Sequence, residues 1–330
     1  EKHLTFHDEL GIAYEEWDAA TLKAKVPFYE VVAFYPPRRP DDEAFGQPSG
    51  NEHPGAVFFP YAGYVNDPQL ATHNLQRAAE AAGARFEFNA EVEEIRQAGG
   101  RVSGVTLKDG RKLDAPIVVN ASGPHSFVLN RMAGVDQDMK VGTKALRKEV
   151  CYLPFPAGMD DGQGYLVTDD DVGVYSREEA GGMMLVGSLD PACDTPDWVD
   201  DPDDFNRELT DEQWKAQVYR MALRIPELEI PSRTKGIADL YDTTADWIPI
   251  YDRSSLDGFY LAVGTSGNQF KNAPLVGELM AELIVACEGG RDHDRDPVSI
   301  RGPGTGVELD LGFYSRNRTL NPESSRTVLG

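Results

Sequence analysis

Phe259-Tyr260-Leu261-Ala262-Val263 runs straight into Gly264-Thr265-Ser266-Gly267-Asn268-Gln269-Phe270-Lys271, and Asn272 to Pro274 then open an apolar segment through Leu275, Leu279, Leu283 and Ile284. Strand-forming residues, a turn with two glycines and apolar residues at helical spacing spell strand, loop and helix. Gly264 and Gly267 carry no Cβ, so the backbone can approach a ligand closely there. A side chain introduced at Gly267 is expected to enter the ligand space. The helix that follows aims unpaired N–H groups and a partial positive charge at the loop. An anion or an electron-rich ring edge is the natural guest. Taken alone, the same pattern also describes a plain strand-to-helix turn of an α/β sheet. Neither GxxxxGK(S/T) nor GxGxxG occurs in the chain.

A second turn has the same construction. Ile117-Val118-Val119-Asn120 is a short apolar strand ending in Ala121-Ser122-Gly123-Pro124. Its composition predicts burial on both faces, as in a parallel sheet covered by helices. Open α/β sheets bind ligands beyond the carboxyl ends of such strands. Upstream, Asn66 or Asp67 caps a helix with Pro68 in its first turn and Gly83 at its end. Ala71, Leu75, Ala78, Ala79 and Ala82 share one face, whose small residues suit close packing on a sheet. Phe86 to Ile95 and Val102 to Leu107 read as strands, with a hairpin signal at Asp109-Gly110. Residues 141 to 190 alternate strand-like runs with turns. A helix is expected from Asp211 to Arg224, with Trp214, Val218 and Met221 on one face. The first 65 residues read as helix-poor and loop-rich, and beyond Gly289 the chain is polar and without period.

The 330 residues allow roughly two domains of ~150. Against 32 Lys+Arg stand 55 Asp+Glu, a formal charge of −23 that disfavours nucleic acid and anionic lipid as partners. No apolar run approaches the ~20 residues of a membrane span. Cys151, Cys193 and Cys287 are far apart and outside any CxxC pattern, which argues for a reducing, cytoplasmic compartment. The histidines show no metal-ligand spacing, and no GxSxG elbow is present. Aspartate runs at 160–161, 169–171 and 200–204 lack calcium-loop spacing and read as solvated loops. Arg177 and Lys271 are cations beside strand or loop ends where a carboxylate could dock, with a plain surface role as the alternative for each.

Gly63-Tyr64-Val65-Asn66-Asp67-Pro68 with its Ala-rich helix, then Ile117 to Pro124, form the first half of a longer pattern. Leu240-Tyr241-Asp242-Thr243-Thr244-Ala245-Asp246-Trp247-Ile248-Pro249-Ile250 and Gly264 to Lys271 with Ala273-Pro274 complete it. In order and spacing these blocks resemble the D-amino-acid-oxidase-like FAD-dependent oxidoreductase family (the glycine oxidase, sarcosine oxidase and dimethylglycine dehydrogenase group), over residues 10 to 285. The resemblance implies an α/β protein: a Rossmann-like FAD-binding domain, incomplete in this chain, interleaved with an α+β substrate domain on an antiparallel sheet. The implied boundaries are 1–64 and 136–240 for the substrate domain, 65–135 and 241–290 for the FAD-binding domain, and 291–330 for a tail. The implied activity is oxidation of the C–N bond of an amino acid or secondary amine, by hydride transfer to flavin N5. On the same resemblance Val92, Ala121, Ser122, Gly123, Gly264, Ser266, Gly267, Asn268, Gln269, Phe270 and Lys271 bind the cofactor. Lys271 would also hold a substrate carboxylate, and Arg177 is the second candidate catalytic residue.

The chain departs from the family pattern at four points. Asn268-Gln269 replaces a His-Gly pair in the glycine loop. Leu185 stands where sarcosine oxidases carry an oxygen-activating lysine, which favours a dehydrogenase or an oxidase using other means. Tyr241 or Asp242 occupies the position of a flavin-attaching cysteine, so the FAD is expected to be non-covalent. Leu10-Gly11-Ile12, which in the family follows a unit bearing GxGxxG, stands almost at the start. An N-terminal Rossmann segment, on a partner chain or omitted from this sequence, is therefore expected to complete the site. Two alternatives stay open: an FAD-dependent 2-hydroxy-acid dehydrogenase on the same fold, and a non-catalytic, flavin-free subunit.

Overall fold

The computed structural model describes residues 2–156, 165–302 and 304–327. It divides into one unit of residues 1–68, 148–196 and 206–239 and another of residues 69–147, 197–205 and 240–330.

The first unit is built on an antiparallel sheet. Strand Met183–Ser188 lies between Thr143–Pro154 and Val174–Glu179, with Val186 opposite Cys151 on one side and Ser176 on the other. Val167–Asp169 pairs with the outer edge of Val174–Glu179. Strand periodicity sends Cys151, Leu153, Val174, Met184 and Val186 to one face. The helix Asp211–Arg224 covers that face with Trp214, Val218 and Met221, which recur at helical spacing. Thr210 caps the helix by accepting from the Gln213 amide, and its hydroxyl donates to Glu149 at 2.8 Å. At the other end the buried Arg224 donates through Nε to Asp169 at 2.6 Å, to Asp171, and to the carbonyls of Glu30 and Val32. Asp169 and Asp171 are therefore not solvated-loop residues, since both pair with a buried guanidinium, while Asp170 between them is exposed. The aspartates of 200–204 are exposed, and 160–161 lie outside the described residues. The first 65 residues hold two short helices, Lys2–Leu10 and Ala19–Lys25. The second is fixed by an Asp18 cap, which accepts from the Thr21 amide at 2.7 Å.

In the second unit Phe259–Val263 is the central strand of three. It pairs antiparallel with Ile250–Arg253 and parallel with Val118–Asn120, where Leu261 stands opposite Asn120. Ile250, Phe259, Leu261 and Val263 pack against Ile95, Val102, Val135 and Val141. Tyr251 and Tyr260 point the other way, onto Leu279, Met280 and Leu283 of the helix Ala273–Glu288. Val118–Asn120 is less covered than its composition suggests, since Val119 is 41% exposed. The helix Pro68–Ala81 forms where its cap and period predict, yet none of its side chains is buried among the described residues. A hairpin joins Arg101–Leu107 to Lys112–Asp114 through the Asp109-Gly110 turn. Past Gly289 the aperiodic sequence still folds. Val298 and Leu311 are buried; Arg316 bonds Asp252 at 3.0 Å and Asp294 at 2.8 Å, and Arg318 bonds Asp246 at 2.7 Å. Isolated anchors of this kind leave no period to read. Among the described residues, no helix is long and apolar enough to cross a membrane.

Candidate active site

The two glycine turns leave the carboxyl ends of neighbouring parallel strands, Val118–Asn120 and Phe259–Val263. Each is shaped from beneath by a buried polar side chain. Asn120 donates from Nδ2 to the Ser126 carbonyl and to Asn130 Oδ1, both at 2.9 Å. Its Oδ1 accepts from the Ser122 amide at 3.2 Å and the Ser122 hydroxyl at 2.6 Å. Ala121 to Gly123 are thereby folded back onto the strand end, and Gly123 takes φ +57°, a conformation glycine reaches without steric cost. The short turn Gly123–His125 and the helix Ser126–Ala133 follow.

Asp242 shapes the second turn and reaches the first. It is 2% exposed. One carboxyl oxygen accepts from the Gly264 amide at 2.5 Å, and the other from the Ser126 hydroxyl at 2.6 Å, which in turn lies 2.6 Å from the Thr143 hydroxyl. The Asp242 carbonyl accepts from the Ser266 amide at 2.7 Å. Burial pushes the Asp242 carboxyl up to about 6, against the lowering effect of these hydrogen bonds. Ser266 is held at φ +49° while its hydroxyl donates to the Gly264 carbonyl at 3.1 Å.

The remaining loop residues turn toward the helix start. Gln269 donates to Asn268 Oδ1 at 2.6 Å and accepts from the Tyr251 hydroxyl at 3.0 Å and from Asn272 at 2.8 Å. Lys271 donates from Nζ to the Asn268 carbonyl at 2.6 Å, and desolvation lowers its ammonium pKa. Phe270 is exposed. Asn268 is buried, and its Nδ2 has no hydrogen-bond partner among the described residues. A buried donor left unpaired is costly, and a ligand carbonyl or ring nitrogen would satisfy it. The space beside Gly123 is open, with nothing within 4 Å of where a Cβ would stand. The residues present fit a flavin: a buried unpaired donor and an open glycine turn.

One expectation needs correction. A side chain at Gly267 would not enter ligand space, because its Cβ would lie 2.3 Å from the Tyr241 ring. The glycine is required by that ring and by φ +73°. Arg177 is already engaged: it pairs with Glu179 at 2.9 Å and stacks 5.0 Å from the Tyr64 ring.

Val92, Ala121 to Gly123 and Gly264 to Lys271 all belong to the second unit, and Arg177 to the first. Val92 packs against the apolar cluster that contains Phe259, Leu261 and Val263. Sequence reading missed the organising roles of Asn120, Ser126 and Asp242. The available signal was a carboxylate inside the strand-like run Leu240 to Thr244.

Residues 7–283 match the model of the FAD dependent oxidoreductase family. The chain belongs to that family. It is 26% identical over 251 residues to FAD-dependent oxidoreductase domain-containing protein 1 of Bos taurus, covering 66% of this chain and 49% of that protein. It is 26% identical over 211 residues to sarcosine oxidase subunit beta of Rhodobacter capsulatus, covering 63% of this chain and 46% of that one. Among solved structures, glycine oxidase from Geobacillus kaustophilus shares the fold over 97% of this chain and 71% of its own length, with a TM-score of 0.65 at 20% identity. This member of the family thus spans about half the length of the curated relatives it matches.

Proposed function

We propose that the protein acts as an FAD-dependent oxidoreductase that oxidises the C–N bond of an amino acid or secondary amine, in the cytoplasm, with FAD held non-covalently. The observation that carries this reading is the pairing of two glycine turns at adjacent parallel strand ends, with the unpaired Asn268 Nδ2 beside them. When bound, FAD supplies the hydride acceptor. Gly264 to Gln269 would hold its ring edge, where the start of the helix Ala273–Glu288 favours negative charge. Ala121 to Gly123 and Val92 would lie along the rest of the cofactor.

Lys271 is the better candidate for the substrate carboxylate, since Arg177 shares its charge with Glu179. Leu185 is compatible with a dehydrogenase or with an oxidase that activates oxygen by other means. Tyr241 and Asp242, neither of them a thiol, support non-covalent attachment. Free Cys151, Cys193 and Cys287 support a reducing compartment. The pyrophosphate cradle is assigned to a GxGxxG segment outside this sequence, on the same polypeptide or a partner subunit. The likeness to a sarcosine oxidase subunit supports a partner, and the exposed Val119 supports cover for the Val118–Asn120 strand from elsewhere.

Full-length protein, purified with whatever accompanies it, is expected to release flavin on denaturation and to turn over amino acids with an artificial electron acceptor. Turnover of 2-hydroxy acids alone would favour the hydroxy-acid reading. A colourless preparation would overturn both.

A further inference from the structure

The side chain of Asp242 has hydrogen bonds that reach both candidate cofactor turns. Its carboxyl takes the Gly264 amide of one and the hydroxyl of Ser126, where the helix Ser126–Ala133 leaves the other. The Ser126–Thr143 hydroxyl pair, 2.6 Å apart, lets the carboxyl be met by donors, or by an acceptor if it is protonated, because either hydroxyl can reverse. At 2% exposure Asp242 is too deeply placed to touch a ligand itself. A residue needed only to close one turn would bond only that turn.

We propose that Asp242 is a positioning residue for the cofactor: it fixes the distance between the 121–126 and 264–268 turns, and thereby the aim of the Asn268 donor. The inference rests on the FAD reading. Its physical content is that a bound flavin contacts both turns, so freeing one from the other lowers affinity without any contact being lost.

The test is FAD titration of the deflavinated full-length protein carrying Asp242→Asn or Ser126→Ala, with the visible spectrum of the bound flavin and the thermal melt of the apoprotein recorded alongside. Asp242→Asn keeps one carbonyl oxygen for the Gly264 amide and turns an NH2 donor toward the Ser126 hydroxyl, which must reverse to accept it, so a neutral amide replaces the charged link. Folded variant is expected to bind FAD roughly 10- to 100-fold more weakly, the worth of a lost hydrogen bond to a charged group, with a shifted flavin band. Ser126→Ala cuts only the link to the first turn and is expected to weaken binding by roughly 5-fold. That variant decides the matter if Asp242→Asn does not fold. Wild-type affinity and spectrum in a folded Asp242→Asn, or in Ser126→Ala, would overturn the inference while leaving the FAD reading intact. A wild-type protein that takes up no FAD would overturn the reading on which it rests.

Discussion

The Oδ2 atom of Asp242 lies 2.5 Å from the amide nitrogen of Gly264. That contact converts a glycine-rich turn into a fixed shape and buries a carboxyl whose charge water no longer stabilises.

Because burial raises the Asp242 carboxyl from 3.8 to about 6, the folded state binds its proton more tightly than the unfolded chain does. Its contribution to stability is full below about pH 4 and is lost as the pH rises to about 6. Asp242→Asn removes the titration. The stability of wild type relative to this variant should therefore fall by up to about 3 kcal/mol between about pH 4 and pH 7, read by urea unfolding. A pH-independent difference would contradict the assignment.

Asp246 shows the opposite sign. Burial opposes its charge, but hydrogen bonds from Arg318 win and hold the carboxyl below its ordinary range. Its stabilisation is present above about pH 4 and is lost as the pH falls through the lowered value. Arg318→Leu leaves that carboxylate buried without its partner and should cost about 3 kcal/mol at neutral pH. The cost should shrink in acid. An equal cost at both pH values would point to lost packing alone.

Arg224→Met should destabilise the first unit by about 3 to 5 kcal/mol, because Asp169 and Asp171 would lose their buried counter-charge. Equilibrium unfolding followed by tryptophan fluorescence reads it, since Trp214 sits in the same core. A loss under about 1 kcal/mol would show that water reaches these carboxylates.

Lys271→Met should raise KM for a carboxylate substrate by roughly 10- to 100-fold with little change in flavin content. Steady-state kinetics beside flavin quantification tests it. An unchanged KM removes Lys271 from the carboxylate clamp.

Much of the second unit was legible in the sequence because its signals are local. Phe259 to Val263 is a strand at those bounds, and the helix after Asn272 begins at Ala273. The Asp211–Arg224 helix matches its apolar period. Hidden features are those that depend on contacts between distant residues. Arg224 with Asp169 and Arg316 with Asp252 are ordinary charges until the fold removes them from water. In the sequence Asp242 marks only the place of an attaching cysteine; the arrival of Gly264 and Ser126 gives its own carboxyl a role. Gly267 was legible as a necessary glycine but not its reason, the Tyr241 ring, which lies 26 positions earlier in the chain.

On the proposed reading, this chain carries part of a flavin site for amine oxidation. Anaerobic titration of the purified full-length protein with a panel of amino acids and N-methylated amino acids tests it most directly. The account predicts bleaching of the visible flavin band by at least one of them, and no bleaching by the matching 2-hydroxy acid. A protein whose flavin stays oxidised with every amine, or that holds no flavin, contradicts it.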